Sequence, residues 1–161
     1  MIEIITTGGT IDKVYYDKKN DYHVGDPFII DLLRKMNFNV DYSVKSLMRI
    51  DSLDMTNSDR DQIFEYIKSL TSEKILITHG TDTMIETALY LKKIKNKTIV
   101  LTGSLKPALF IDNDATFNIG CALTAVQTLE KGVYIVMNGC IFNPKKVIKN
   151  IEKNIFELKT N

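Results

Sequence analysis

Five short runs of apolar, β-prone residues punctuate the chain: Ile2–Ile5, Phe38–Val44, Lys74–Thr78, Thr98–Thr102 and Val133–Met137. KILIT and TIVLT are nearly continuous rather than alternating, the pattern of strands buried on both faces. Between the runs the apolar spacing changes to that of helices. GDPFIIDLLRKMN offers Asp26 as N-cap and Pro27 as the first helical residue. NSDRDQIFEYIKSL puts Ile63, Phe64, Ile67 and Leu70 on one face. DTMIETALYLKKIK and DNDATFNIGCALTAVQTLEKG add two more helices, the last ending at Gly132 as its C′ residue. This alternation predicts βαβ units. The expected fold is α/β: a single three-layer, doubly wound domain over residues 1–161, with a mostly parallel, Rossmann- or flavodoxin-like sheet. Two stretches stand apart. DKVYYDKKNDYHVG reads as a long flap loop after the first strand, and VIKNIEKNIFELKTN as a helix that frays into a tail.

Polar clusters follow these strands in turn: TTGGT, IDSLDM, THGTDT, TGSLKP and MNGC. All sit at carboxyl ends of strands, where open α/β sheets bind their ligands. TTGGTIDK matches neither the phosphate-cradling GxxxxGK[ST] pattern nor GxGxxG. Thr10 therefore stands at the base of a flap, not in a nucleotide loop. Thr81 and Asp82 begin the third helix, where a helix cap is the plain reading. Their functional reading rests on a second threonine cluster across the same crevice. Backbone N–H groups at that helix start suit a carboxylate or an oxyanion. A threonine hydroxyl needs a base to become a nucleophile. His79, with no second histidine nearby, reads as structural. A lysine can serve as base, and Lys149 lies about a dozen residues past the fifth strand, within the solvated-looking run Lys145, Lys146, Lys149, Lys153.

Composition narrows the partners. Lys and Arg total 21 against 20 Asp and Glu, a net charge of +1, so nothing favours nucleic acid or an anionic membrane. Cys121 and Cys140 are far apart, and no Cys/His set has ligand spacing, so a structural zinc site is not expected. No apolar run approaches the length of a membrane span. The chain opens directly on a strand pattern, which sets the expectation of a cytoplasmic protein.

TTGGTID, DSLDM, THGTDTM, GSLKP and VMNG, in this order, resemble the bacterial-type L-asparaginase family. TGGTI together with HGTDTM is highly specific. The resemblance runs through essentially the whole chain and matches the N-terminal catalytic domain of the usual two-domain enzymes. It implies hydrolysis of the side-chain amide of L-asparagine, and weakly of L-glutamine, to the acid and ammonia. The route is a threonine-linked acyl-enzyme without metal or cofactor. By the same resemblance Thr10 is the nucleophile, and Thr81, Asp82 and Lys149 form a hydrogen-bonded set. Ser52 helps hold the substrate α-carboxylate. A flap tyrosine assists the nucleophile: Tyr15 foremost, Tyr22 second, with Tyr16 also in competition. Gly9, Asp51, Gly80, Ser104 and Tyr22 complete the substrate-facing set. Leu53 stands where the family commonly has glutamine, leaving Asp51 or Asp54 to meet the α-amino group. The usual enzymes complete each site with polar residues from a partner's C-terminal domain; here either a homo-oligomeric neighbour, in a dimer or tetramer, supplies them, or affinity for the amino acid is weak. Two other readings stay open: an ammonia-releasing amidase component of a larger complex, and a catalytically weak asparagine-binding module.

Overall fold

The computed structural model describes residues 1–16 and 21–160. Six strands form the main sheet: β1 (Ile2–Gly8), β4 (Tyr42–Ile50), β5 (Lys74–Thr78), β6 (Thr98–Thr102), β7 (Gly132–Met137) and β8 (Cys140–Phe142). Their spatial order is β4-β1-β5-β6-β7-β8. All neighbours are parallel except β7 and β8. From β1 the chain crosses to β4 on one side, then returns past β1 to β5 on the other. The switch point therefore lies between β1 and β5, where a doubly wound sheet opens its ligand crevice.

Strand alternation divides the core into two layers. Ile5, Ile75, Ile77, Ile99 and Leu101 pack against Ile63 and Ile67 of α2 (Asn57–Ser69) and Met84, Ala88 and Leu91 of α3 (Met84–Leu91). Ile2, Ile4, Leu76, Val100 and Val136 pack against Ile29, Leu32 and Leu33 of α1 (Phe28–Lys35) and Ile119, Ala122 and Val126 of α4 (Ala115–Thr128). Central strands covered on both faces have no polar side, which is why KILIT and TIVLT do not alternate.

The structure departs from the sequence expectations in six respects. The α1 cap comes from Asp12, whose Oδ1 accepts the Phe28 N–H at 2.8 Å; Asp26 pairs instead with Arg49 at 2.7 Å. Pro27 is extended, with φ −61° and ψ 113°, so it precedes the helix rather than opening it. Gly132 is the first residue of β7, not a C′ glycine: α4 stops at Thr128, and the Gly132 N–H donates to the Lys97 carbonyl at 2.9 Å. The second strand runs over Tyr42–Ile50 rather than Phe38–Val44, on the sheet edge where polar side chains such as Lys45 and Arg49 reach solvent. The flap is a ribbon of β2 (Lys13–Tyr16) and β3 (Asp21–Val24), with Tyr15 opposite Tyr22; residues 17–20 lie outside the described residues. The tail is a hairpin too, β9 (Val147–Asn150) with β10 (Ile155–Leu158), turned at Asn154 with φ 50°. Its buried Val147 and Phe156 join the α2/α3 core layer, which a fraying helix would leave unfilled.

Candidate active site

Two glycines bring three loops into backbone contact. Gly9 follows β1 with φ 93°, a conformation that L side chains rarely adopt. A Cβ there would stand 2.4 Å from Gly80 Cα, and a Cβ on Gly80 would stand 2.5 Å from Ser52 Cβ and Oγ. The loops after β1, β5 and β4 are thus stacked at the switch point, tied by Gly9 N–H to the Ile50 carbonyl at 3.0 Å and by Thr83 Oγ1 to the Ser52 carbonyl at 2.8 Å. Thr10 opens a short 3-10 turn, Thr10–Asp12, directly after Gly9.

Thr81 and Asp82 do not cap α3, which begins at Met84 behind Thr83. They bind a residue far away in sequence: Lys149 Nζ lies 2.8 Å from Thr81 Oγ1 and 2.6 Å from Asp82 Oδ1. The Lys149 side chain is 17% exposed, so it is no solvated member of a lysine run. Its hairpin is anchored in the core. Phe156, opposite Lys149, donates its N–H to Asn138 Oδ1 at 2.9 Å, and the Asn138 N–H donates to buried Asn118 Oδ1 at 3.1 Å. Asn138 itself has φ 52°, a left-handed turn that asparagine tolerates.

Ser52 is buried, and its Oγ has no hydrogen-bond partner among the described residues. A buried hydroxyl costs free energy until something satisfies it, and Ser52 shares that condition with Thr6 and Thr78 on the neighbouring strands. Asp51 has partners: Oδ2 lies 2.6 Å from Lys13 Nζ, and Oδ1 accepts the Leu53 N–H at 3.1 Å. Partial burial raises the Asp51 pKa, but the Lys13 and Leu53 bonds and the nearby charges of Lys13 and Lys149 outweigh it and hold the carboxyl below its usual range. Leu53 projects into solvent, 72% exposed. Lys13 is the site residue that sequence reasoning missed; its contact with Asp51 joins two loops with no shared local motif.

The remaining candidates lie at the margin. Tyr15 and Tyr22 face each other on the flap ribbon, ring centroids 5.5 Å apart, and Tyr22 also meets Phe110 edge-on at 6.3 Å. Ser104 is buried after β6 and donates its hydroxyl to the Lys106 carbonyl, a bond within its own loop. His79 is fully buried, and burial, with Arg60 nearby, pulls its pKa down to about 4 although the Gly80 carbonyl favours a proton on the ring. It is neutral at ordinary pH, with Nδ1 donating to Gly80 O at 2.7 Å and Nε2 facing Met55 Sδ at 3.2 Å. Asp12, behind the Thr10 turn, has its pKa pushed up to about 6 by burial, against the opposing effects of the Phe28 N–H and Arg49. Among the described residues no group of His, Cys, Asp and Glu is arranged to hold a metal, and no helix is long and apolar enough to cross a membrane.

The family described as "Asparaginase, N-terminal" matches residues 1–158. A glutaminase-asparaginase from Acinetobacter glutaminasificans is 37% identical over 95 residues, covering 56% of this chain and 29% of that protein. A component of the glutamyl-tRNA(Gln) amidotransferase of Methanococcus maripaludis is 33% identical over 151 residues, 86% of this chain and 35% of that one. The crystal structure of a probable cytoplasmic L-asparaginase from Campylobacter jejuni superposes with a TM-score of 0.79 at 28% identity, over 98% of this chain and 51% of that one. The chain spans about half the length, or less, of the relatives it matches.

Proposed function

The chain belongs to the asparaginase family, and on that premise we propose that it hydrolyses the side-chain amide of L-asparagine to L-aspartate and ammonia. The observation that carries the reading is Lys149 Nζ held between Thr81 Oγ1 and Asp82 Oδ1. A lysine recruited from another hairpin onto a threonine and a carboxylate is a proton path, which a purely structural cap would not need.

In this reading Ser52 Oγ takes the substrate α-carboxylate and Asp51 lies on the side of the α-ammonium. The side-chain amide carbon is set between the Thr10 turn and Thr81. Thr10 Oγ1 attacks that carbon and forms the C–O bond. Its proton passes through Thr81 towards Lys149. A charged lysine has only donors, so Lys149 can accept only after sharing a proton with Asp82 at 2.6 Å. Backbone N–H groups of the Thr10 turn and the Gly80–Thr83 loop stabilise the oxyanion. The C–N bond then breaks with the proton delivered to nitrogen, and ammonia leaves. Water attacks the aspartyl ester, and the same groups return the proton to Thr10. Tyr15, with Tyr22 as the second candidate, assists at the nucleophile from the flap ribbon.

The test is ammonia release from L-asparagine, D-asparagine and L-glutamine. L-asparagine is expected to turn over fastest and L-glutamine weakly. Thr10→Ala and Thr81→Ala should each lower turnover by several orders of magnitude in a folded protein, and the double variant should be little worse, because groups acting as one unit lose their effect together. Full activity in Thr10→Ala overturns the nucleophile assignment. Asparagine binding by calorimetry without ammonia release would make the chain a binding module. Likeness to the amidotransferase component supports a second reading, an amidase that delivers ammonia to a partner enzyme; its signature is turnover that appears only with that partner. A cytoplasmic dimer or tetramer belongs to the first reading, and sedimentation velocity tests the assembly.

A further inference from the structure

Lys13 stands three residues beyond Thr10, at the start of β2. The Thr10 turn rests on the body of the protein through backbone bonds: Gly9 N–H to Ile50 O at 3.0 Å, Gly25 N–H to Asp12 O at 2.8 Å, and Ala108 N–H to Ile11 O at 3.2 Å. It leaves β1 through Gly8 and Gly9, with φ 97° and 93°. Two successive glycines have no Cβ to restrict rotation, so the turn needs a further tie if its orientation is to be fixed. The Ser52 loop is held differently, through Thr83 Oγ1. Among the described residues, the ion pair that joins the two loops is Lys13 to Asp51 at 2.6 Å, with the side chains 28% and 25% exposed. Asp51 is itself fixed, since its second oxygen accepts the Leu53 N–H.

We propose that Lys13 is a positioning residue, whose ion pair with Asp51 sets the Thr10 turn at a fixed distance and angle from Ser52. The inference rests on the reading of Thr10 as nucleophile and Ser52 as substrate clamp. Lys13 touches no reacting group and acts through the loop that carries Thr10. Orientation is where such a tie matters, because a misplacement of about 1 Å can cost on the order of 100-fold in rate while leaving binding nearly intact. An ordinary surface ion pair of this exposure would have almost no effect, so the two cases separate cleanly.

The experiment compares Lys13→Met, Lys13→Arg, Asp51→Asn and the Lys13→Met/Asp51→Asn double variant. Two readouts are used: steady-state ammonia release from L-asparagine, and amide hydrogen exchange of the ligand-free protein. Lys13→Met should lower kcat by about 10- to 100-fold with KM within about threefold, and Lys13→Arg should recover most of the loss. The double variant should be no slower than the slower single one. Exchange at the Gly9, Asp12 and Gly25 amides should quicken by about tenfold in Lys13→Met, while Ile5 and Ile77 in the sheet stay unchanged. Wild-type kcat in Lys13→Met, or losses that multiply in the double variant, would overturn the proposal. Unchanged exchange at Gly9, Asp12 and Gly25 would overturn it whatever the substrate. If the wild-type protein releases no ammonia from asparagine, the asparaginase reading fails, and the exchange measurement still decides the role of Lys13.

Discussion

Thr6 is fully buried shortly before the paired glycines, and its Oγ1 has no hydrogen-bond partner among the described residues. Removing a buried unpaired hydroxyl while keeping its shape relieves a desolvation cost. Thr6→Val should therefore raise stability by about 1 kcal/mol, read as a higher urea midpoint with an unchanged slope. Thr7 offers the contrast, because its hydroxyl donates to the Thr78 carbonyl at 3.0 Å, and the same change there should destabilise. At this scale the sequence was informative about residues whose chemistry is local. Thr10, Thr81 and Asp82 sit in compact clusters at strand ends, and an unusual density of hydroxyls and glycines is visible in a linear string. Lys13 was invisible because its partner is Asp51, and nothing in either neighbourhood encodes a contact across that separation.

Both hairpins were hidden by spacing that imitates something else. Ile148, Ile151 and Ile155 recur at helical intervals, yet Ile151 is 84% exposed and lies in the turn. What fixes the tail as a hairpin is the pair of buried residues Val147 and Phe156, and the left-handed Asn154. The flap ribbon carries Tyr15 and Tyr22 outward, so it lacks the apolar alternation that signals a half-buried strand. Parallel strands of the sheet centre were legible because burial on both faces writes itself as an unbroken apolar run. The β9–β10 turn supplies a test of how Lys149 is held. Asn154 has φ 50°, and a β-branched residue in that conformation costs about 1–2 kcal/mol. Asn154→Val should lower the thermal midpoint and reduce turnover by loosening Lys149, whereas Asn154→Gly should keep both near wild type. Loss of stability in Asn154→Val with full ammonia release per folded molecule would show that the hairpin does not set Lys149.

Across the whole molecule, two buried titratable groups oppose each other. Asp12 has a folded pKa of about 6 against an ordinary 3.8, so the folded state binds its proton more tightly than the unfolded chain. Its contribution favours folding at low pH and is lost as pH rises from about 4 to about 6. His79 has a folded pKa of about 4 against 6.5, so the unfolded chain binds that proton more tightly. Its contribution is present above about 6.5 and is lost as pH falls towards 4. Each amounts to roughly 3 kcal/mol at most, at about 1.4 kcal/mol per pKa unit, and over pH 4 to 6.5 the two nearly cancel. Asp12→Asn keeps an oxygen for the Phe28 N–H but cannot ionise. The variant should be more stable than wild type at pH 8 and should lose stability steeply from pH 6.5 to 4, exposing the histidine. Denaturant melts at pH 8, 6 and 4 check this, and parallel curves for the two proteins would refute it.

The stack of Gly9 on Gly80 on Ser52 has an evolutionary corollary. Three loops share a contact with no spare ångström, so neither glycine can gain bulk alone: a side chain acquired at either one would collide with the next loop's backbone or serine. Adaptation to a new amide must therefore leave this floor untouched and proceed at its rim. Leu53 is the natural point of entry, adjacent to Ser52 and open to solvent, where inheritance can experiment without first having to rebuild the fold.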